Sequence, residues 1–308
     1  SGGGAETAKI HAGDRILAVD STQLGDVSVS EASKLIQGDE GTKVTLLLTD
    51  EKGVRREVEV LRGKVQLASV EDIQMIAETG YLRIDQFTLR TGKEFDSAMT
   101  FLNESGMRFL VVDLRDNGGG LLKAAVDVLS HFFEKDEVVV SIQGRGRPGG
   151  VVYQSSGKNS IRCPVVVLIN ARSASASEIV AGALQVSGKA QLVGESSYGK
   201  GSVQTIFTLN DESGIRLTTA RYFLPGRIAI GADGLSPDIE VECEDETWRK
   251  ILLQRGQAPF ADAATFEYRF GFQPVGDPQL EMALCILRST DDFRLQETKG
   301  RPDDLPNP

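Results

Sequence analysis

An α/β fold is predicted for the middle of this chain, with a small α+β domain ahead of it and a carboxy-terminal extension behind. Three observations predict it. The runs Phe109-Leu110-Val111-Val112-Asp113-Leu114 and Pro164-Val165-Val166-Val167-Leu168-Ile169 are apolar without alternation, the pattern of strands buried on both faces of a parallel sheet. Each is followed by a turn and then a helical pattern: Asn117-Gly118-Gly119-Gly120 leads into Leu121 to Phe133, and Ser173-Ala174-Ser175-Ala176-Ser177-Glu178 leads into Ile179 to Leu184. Such strand–turn–helix repetition builds a mostly parallel sheet covered on its faces. Residues 1–63 lack this rhythm and read as a separate unit.

In that first unit, Ala12-Gly13-Asp14-Arg15 is a turn before the strand Ile16 to Asp20. A helix over Val29 to Ile36 puts Val29, Ala32, Leu35 and Ile36 on one face, and Gly38-Asp39-Glu40-Gly41 stops it. Lys43 to Thr49 and Val54 to Leu61 form a hairpin through Asp50-Glu51-Lys52-Gly53. The α/β pattern then covers residues 64–250. Tyr81 to Phe87 is a strand, Phe95 to Asn103 a helix, and Leu192-Val193-Gly194 a further short strand. Gln204 to Phe223 is β-rich, with a hairpin over Asp211-Glu212-Ser213-Gly214. Asp245 to Leu253 is helical, and residues 251–308, with scattered prolines, read as the extension.

With 34 basic and 44 acidic residues the net charge is −10, which argues against nucleic acid and anionic membrane as partners. No apolar run reaches the ~20 residues of a membrane-spanning helix, and no signal peptide is visible. Cys163, Cys243 and Cys285 are far apart, so no zinc knuckle or CxxC pair is present. No metal or cofactor is expected.

A serine at a strand-to-helix turn has an exposed hydroxyl and free N–H groups beside it, because a helix start has unpaired donors. Ser173-Ala174-Ser175-Ala176-Ser177 is therefore where a hydrolytic nucleophile belongs. The base is less obvious, since the only histidines are His11 and His131 and neither has a glycine-rich setting. Lys200, between Gly199 and Gly201, is the better candidate. A lysine serves as base only when its ammonium is desolvated, so that its pKa falls from ~10.4 towards neutrality. Val193, Val203 and Ile206 are the apolar residues expected to do this. Gly118-Gly119-Gly120, at the carboxyl end of a buried strand, sits where open α/β sheets place ligands and lets backbone N–H groups face an anion.

Two resemblances sharpen this reading. From Gly2 to Asp20 the pattern Gly-Gly-x-Ala-x-x-Ala-x-Ile-x-x-Gly-Asp-Arg-Ile-Leu-x-Val-Asp resembles the second half of a PDZ domain; the carboxylate-binding loop and groove strand that normally precede it are not in the sequence. The set Leu-Arg-x-Asn-Gly-Gly-Gly, Ser-Ala-Ser-Ala-Ser-Glu, Tyr-Gly-Lys-Gly-Ser-Val-Gln and Gly-x-x-Pro-Asp-Ile, ending at Ile239, resembles the carboxyl-terminal processing proteases, also called tail-specific proteases. It covers roughly residues 1–241. The resemblance implies a crotonase-like protease core with an amino-terminal partial PDZ domain. It implies Ser175 as nucleophile and Lys200 as base, with Gln204, one helical turn on, orienting the lysine. The oxyanion donors would be the backbone N–H groups of Gly120 and Ala176. It further implies protein or peptide substrates with a free carboxyl terminus and an extracytoplasmic location; self-association is left open. The competing reading is a catalytically inactive peptide-binding module.

Overall fold

The computed structural model describes residues 3–11, 14–50, 53–64, 67–144, 150–158, 160–208, 213–255, 266–267 and 270–299. The expected turns at Ala12-Gly13, Glu51-Lys52 and Asp211-Glu212 fall outside them. The chain divides into two compact units, one of residues 1–67 and 249–275, the other of residues 68–248 and 276–308.

In the first unit a short helix, α1 (Gly4–Thr7), precedes β1 (Arg15–Val19) and β2 (Thr22–Gln23); α2 (Val29–Ile36), β3 (Lys43–Thr49) and β4 (Arg55–Leu61) follow. The strands form one antiparallel sheet in the order β2-β1-β3-β4. Period-two burial along β3 turns Val44, Leu46 and Leu48 into a small core with Val19 and Val60. Ser28 and Glu31 cap the start of α2 reciprocally. The Arg62 guanidinium donates to the Leu35 and Ile36 carbonyls at its end, a cation where the helix dipole favours one. No residue of α2 is fully buried, and Val29 is 88% exposed.

In the second unit β5 (Val70–Ile76), β6 (Thr79–Ile84), β7 (Phe109–Asp113), β10 (Val165–Ile169), β11 (Gln191–Gly194) and β15 (Ile239–Glu240) form a six-stranded sheet in the order β15-β11-β10-β7-β6-β5. All its pairings are parallel except that of the edge strand β5 with β6. Every residue of β7 and β10 is buried, as their unbroken apolar runs predict. Successive residues point to opposite faces. Leu110, Val112, Val165, Val167 and Ile169 pack with α3 (Thr91–Glu104), α4 (Leu122–Leu129) and α5 (Ala176–Val186), while Phe109, Val111, Val166 and Leu168 meet Ala283 and Leu287. A second, antiparallel sheet runs β12-β13-β8-β9, with β8 (Val138–Gly144), β9 (Val151–Gln154), β12 (Ser202–Thr208) and β13 (Gly214–Leu224), and β14 (Ile228–Ala229) pairs with β13.

The expected extension over 251–308 is not one piece. After α6 (Asp245–Arg255), residues 249–275 belong to the first unit, whereas α7 (Pro278–Lys299) covers the second face of the parallel sheet. The stripe Leu280, Ala283, Ile286, Leu287 has helical spacing, so the signal was present behind the prolines that precede it. Strand β5 and the β8–β9 hairpin were also unanticipated, although Val138-Val139-Val140 and Val151-Val152 are β-branched runs.

Candidate active site

Adjacent parallel strands β7, β10 and β11 end side by side, and the loops leaving their carboxyl ends build the site. The loop after β10 carries the serine run, and its three serines have different fates. Ser173 is fully buried; its hydroxyl donates to the Leu114 carbonyl at 2.8 Å and accepts from the Asn170 N–H. Ser177 is fully buried and donates to the Asn117 carbonyl at 2.8 Å. Ser175 alone is half-buried. It sits immediately before α5 with φ 57° and ψ −112°, a conformation that an L-residue holds only under strain and that turns its side chain out of the helix path.

The loop after β7 lies against this turn. Gly119 has φ +100°, and a Cβ there would fall 2.6 Å from the Ala174 carbonyl oxygen and 2.8 Å from Ser175 Cβ; only glycine fits so close to the serine. The loop is held from both sides. The Asn117 side chain accepts from the Gly119 N–H and donates to the Ile84 carbonyl, and Phe87 exchanges backbone hydrogen bonds with Gly119 and Leu121. The N–H groups of Gly120 and Ala176 donate to nothing within the described residues. Two free donors thus flank the serine. Beside Gly120 opens a cleft lined by Phe87, Leu89, Arg90 and Leu121, in which Leu89 is 88% exposed.

The loop after β11 carries Lys200. It is fastened to the serine turn by a residue to which sequence reasoning gave no role. Glu178, 0% exposed, accepts from the Ser175 N–H (2.8 Å) and the Lys200 N–H (2.9 Å) through Oε2, and from the Gly199 N–H and the Ser197 hydroxyl (2.7 Å each) through Oε1. The Tyr198 N–H also reaches the Ser173 carbonyl. The available signal was Ser175-x-x-Glu178, the spacing of a helix capping box. Replacing Glu178 with Gln puts an NH2 group where two donors now converge. The expected result is a loss of at least ~2 kcal/mol of stability together with reduced activity, read by denaturant melts alongside a peptidase assay; an unchanged melt would show that the carboxylate does not hold the loop.

The lysine itself departs from expectation. Lys200 is exposed rather than enclosed by apolar side chains. Val193 points to the opposite face of the sheet, into the core that includes Leu287; Val203 is half-buried, and the Ile206 side chain lies outside the described residues. Gln204 is on strand β12, so its spacing from Lys200 is that of an extended chain and not of a helical turn. Backbone bonds bring Ser175 and Lys200 to one carboxylate, but no side-chain hydrogen bond joins Ser175, Lys200 and Gln204. His131, the histidine of this unit, does not take the lysine's place. His131 is buried against Phe95, its ring nitrogens on Asp96 and Ser160. Burial, and then Lys158, lower its pKa.

Among the described residues no group of three or more His, Cys, Asp or Glu side chains could hold a metal ion, and no helix is long and apolar enough to cross a membrane.

Comparison with known proteins matches residues 78–241 to peptidase family S41 and residues 1–49 to a PDZ domain. The chain is 36% identical over 247 residues to a carboxyl-terminal-processing protease of Synechocystis sp., covering 79% of this chain and 57% of that protein. It is 35% identical over 260 residues to a chloroplastic C-terminal processing peptidase of Tetradesmus obliquus, covering 79% and 55%. It thus spans little more than half the length of these relatives. Among solved structures, a photosystem II D1 C-terminal processing protease aligns with TM-score 0.50 and 33% identity over 78% of this chain and 66% of its own. A putative S41 protease from Bacteroides fragilis aligns with TM-score 0.60 at 18% identity over 95% and 76%, which supports the fold.

Proposed function

Because the chain belongs to peptidase family S41, we propose that it is a serine endopeptidase that cleaves proteins near their carboxyl terminus through an acyl-enzyme on Ser175. The observation that carries this reading is the contrast within one serine run: Ser173 and Ser177 are buried and committed to carbonyls, while Ser175 is accessible and flanked by two N–H groups without acceptors. A carbonyl placed on those donors would have its oxygen stabilised as it becomes an oxyanion. In the first step neutral Lys200 takes the Ser175 proton as the serine oxygen bonds to the carbonyl carbon. The C–N bond then breaks, and the proton passes from Lys200 to the departing amine. Water, giving its proton to Lys200, then attacks the acyl carbonyl; the C–O bond to Ser175 breaks, the proton returns from Lys200 to the serine oxygen, and the acyl group leaves as a carboxylic acid. Since Lys200 rests exposed without a bond to Ser175, its side chain must swing onto the serine when substrate excludes water; such contacts commonly tighten only in the substrate complex. Gln204 is proposed to hold the lysine in that position.

The apolar cleft beside Gly120 favours a substrate with an apolar side chain next to the scissile bond. The PDZ part is proposed to take an extended tail and hold its carboxylate on backbone N–H groups. An extracytoplasmic location is proposed on the family resemblance alone.

The exposure of Lys200 equally suits a peptide binder that retains the fold without turnover. A matched pair of substrates with a disordered apolar tail, one free and one amidated at its carboxyl terminus, separates the readings. Faster cleavage of the free form is expected for an enzyme carrying the whole PDZ domain. No cleavage of either would favour the binder, and equal rates would remove tail recognition.

A further inference from the structure

The motif residue Arg115 takes no part in the chemistry above, yet it is fully buried. All five of its N–H donors are used. Nε donates to Asp113 at 3.0 Å, Nη2 to Asp113 at 2.7 Å and to Asp277 at 2.8 Å, and Nη1 to Asp277 at 2.8 Å and Gln279 at 2.9 Å. The Trp248 ring covers its plane at 4.6 Å. Asp277 lies just before α7 and Gln279 in its first turn, both beyond the part of the chain that matches the peptidase family.

The same cluster reaches both catalytic loops. Trp248 Nε1 donates to Asp116 Oδ2 at 2.9 Å, and Asp116 Oδ1 accepts from the Asn170 amide and the Arg172 guanidinium. Asn170 returns its side-chain carbonyl to the Asp116 N–H. Asp116 and Asn170 begin the loops that end at Gly120 and Ser175. Asp116 has φ +62° and Ser175 φ +57°, conformations that relax unless their surroundings hold them. The Asn117 carbonyl, next in the chain, accepts from the Ala174 N–H and the Ser177 hydroxyl. Any relaxation at Asp116 is therefore passed to both oxyanion donors.

We infer that the segment at the start of α7, docked through Asp277 onto Arg115, is a positioning device that sets Gly120 and Ser175 for acylation. This rests on the serine-peptidase reading above. The geometry asks for a bidentate carboxylate, because a planar guanidinium shared between two carboxylates is fixed in orientation as well as charge. Its position in turn fixes the peptide units of Arg115 and Asp116 at the mouth of the loop.

The test is the pre-steady-state reaction of the full chain with a p-nitrophenyl ester of an apolar acyl group, read as both rate constant and labelled fraction, with the label located at Ser175 by peptide mapping. In this reaction the ester C–O bond breaks, p-nitrophenolate leaves, and the Ser175 proton goes to Lys200. Asp277→Asn is expected to label to the same fraction as the unsubstituted chain but at least ~10-fold more slowly, with Asp277→Glu recovering most of the rate. Trp248→Phe keeps the ring over Arg115 and removes the hydrogen bond to Asp116; it is expected to slow labelling about threefold, and it keeps the inference testable should Asp277→Asn not fold. An unchanged rate constant in these variants, or a smaller labelled fraction reacting at the parent rate, would overturn it, since a structural role changes only how much protein is folded. No label on Ser175 of the unsubstituted chain would instead overturn the peptidase reading, and this inference with it.

Discussion

Ser175→Ala is expected to lower peptidase activity by at least about 10,000-fold, roughly 5.5 kcal/mol of transition-state stabilisation, while costing no more than about 1 kcal/mol of stability, the worth of a serine N-cap. The hydroxyl's part in the fold is the N-cap of α5, in a capping box with Glu178, and the Glu178 carboxylate takes the Ser175 backbone N–H, which alanine retains. The neighbouring serines should behave in the opposite way. Ser177→Ala removes one bond to a carbonyl that keeps the Ala174 N–H, and about 1 kcal/mol of stability should go with it. Ser173→Ala removes a donor to Leu114 and also the acceptor of the Asn170 N–H; with a buried donor left unpaired, a loss of about 2 kcal/mol is expected. Both variants should keep substantial turnover per folded molecule. Steady-state kinetics normalised to folded protein, beside denaturant melts, checks all three. An active Ser175→Ala paired with an inactive Ser177→Ala would move the nucleophile within the run.

Lys200→Arg should be inactive, with turnover reduced at least ~1,000-fold. Arginine keeps the charge, but its pKa above ~12 leaves almost none of it deprotonated at neutral pH. Because Lys200 is exposed and its backbone N–H, not its side chain, is bonded to Glu178, stability should stay within ~0.5 kcal/mol. That combination of lost turnover and an intact fold distinguishes a base from a structural cation. Near-normal turnover would exclude lysine as the base.

The parts of the fold that rest on local pattern were legible. The unbroken apolar runs of β7 and β10 marked the centre of a parallel sheet, and the glycine and serine turns after them marked where its loops would gather. The motif resemblance then supplied the order of the site residues. What was not legible depends on partners far along the chain. Whether Ser173 or Ser177 has a free hydroxyl is decided by carbonyls at Leu114 and Asn117, 59 and 60 residues away. The partner of Arg115 lies 162 residues on, in a segment whose prolines obscured a long helix. The apolar pocket expected around Lys200 failed because the neighbours of Val193 are set by the alternation of β11, which turns it to the α7 face. Glu178 was visible only as a capping residue, and its grip on the lysine loop required knowing that β11 lies next to β10.

The most direct test of the central claim is trapping the acyl-enzyme with a slowly deacylating ester and locating it by peptide-mapping mass spectrometry. One acyl group per chain, on Ser175, is predicted, and it should be absent from Lys200→Arg at equal protein and reagent. Peptide cleavage that proceeds with no covalent intermediate, or with the acyl group on another residue, would contradict the account.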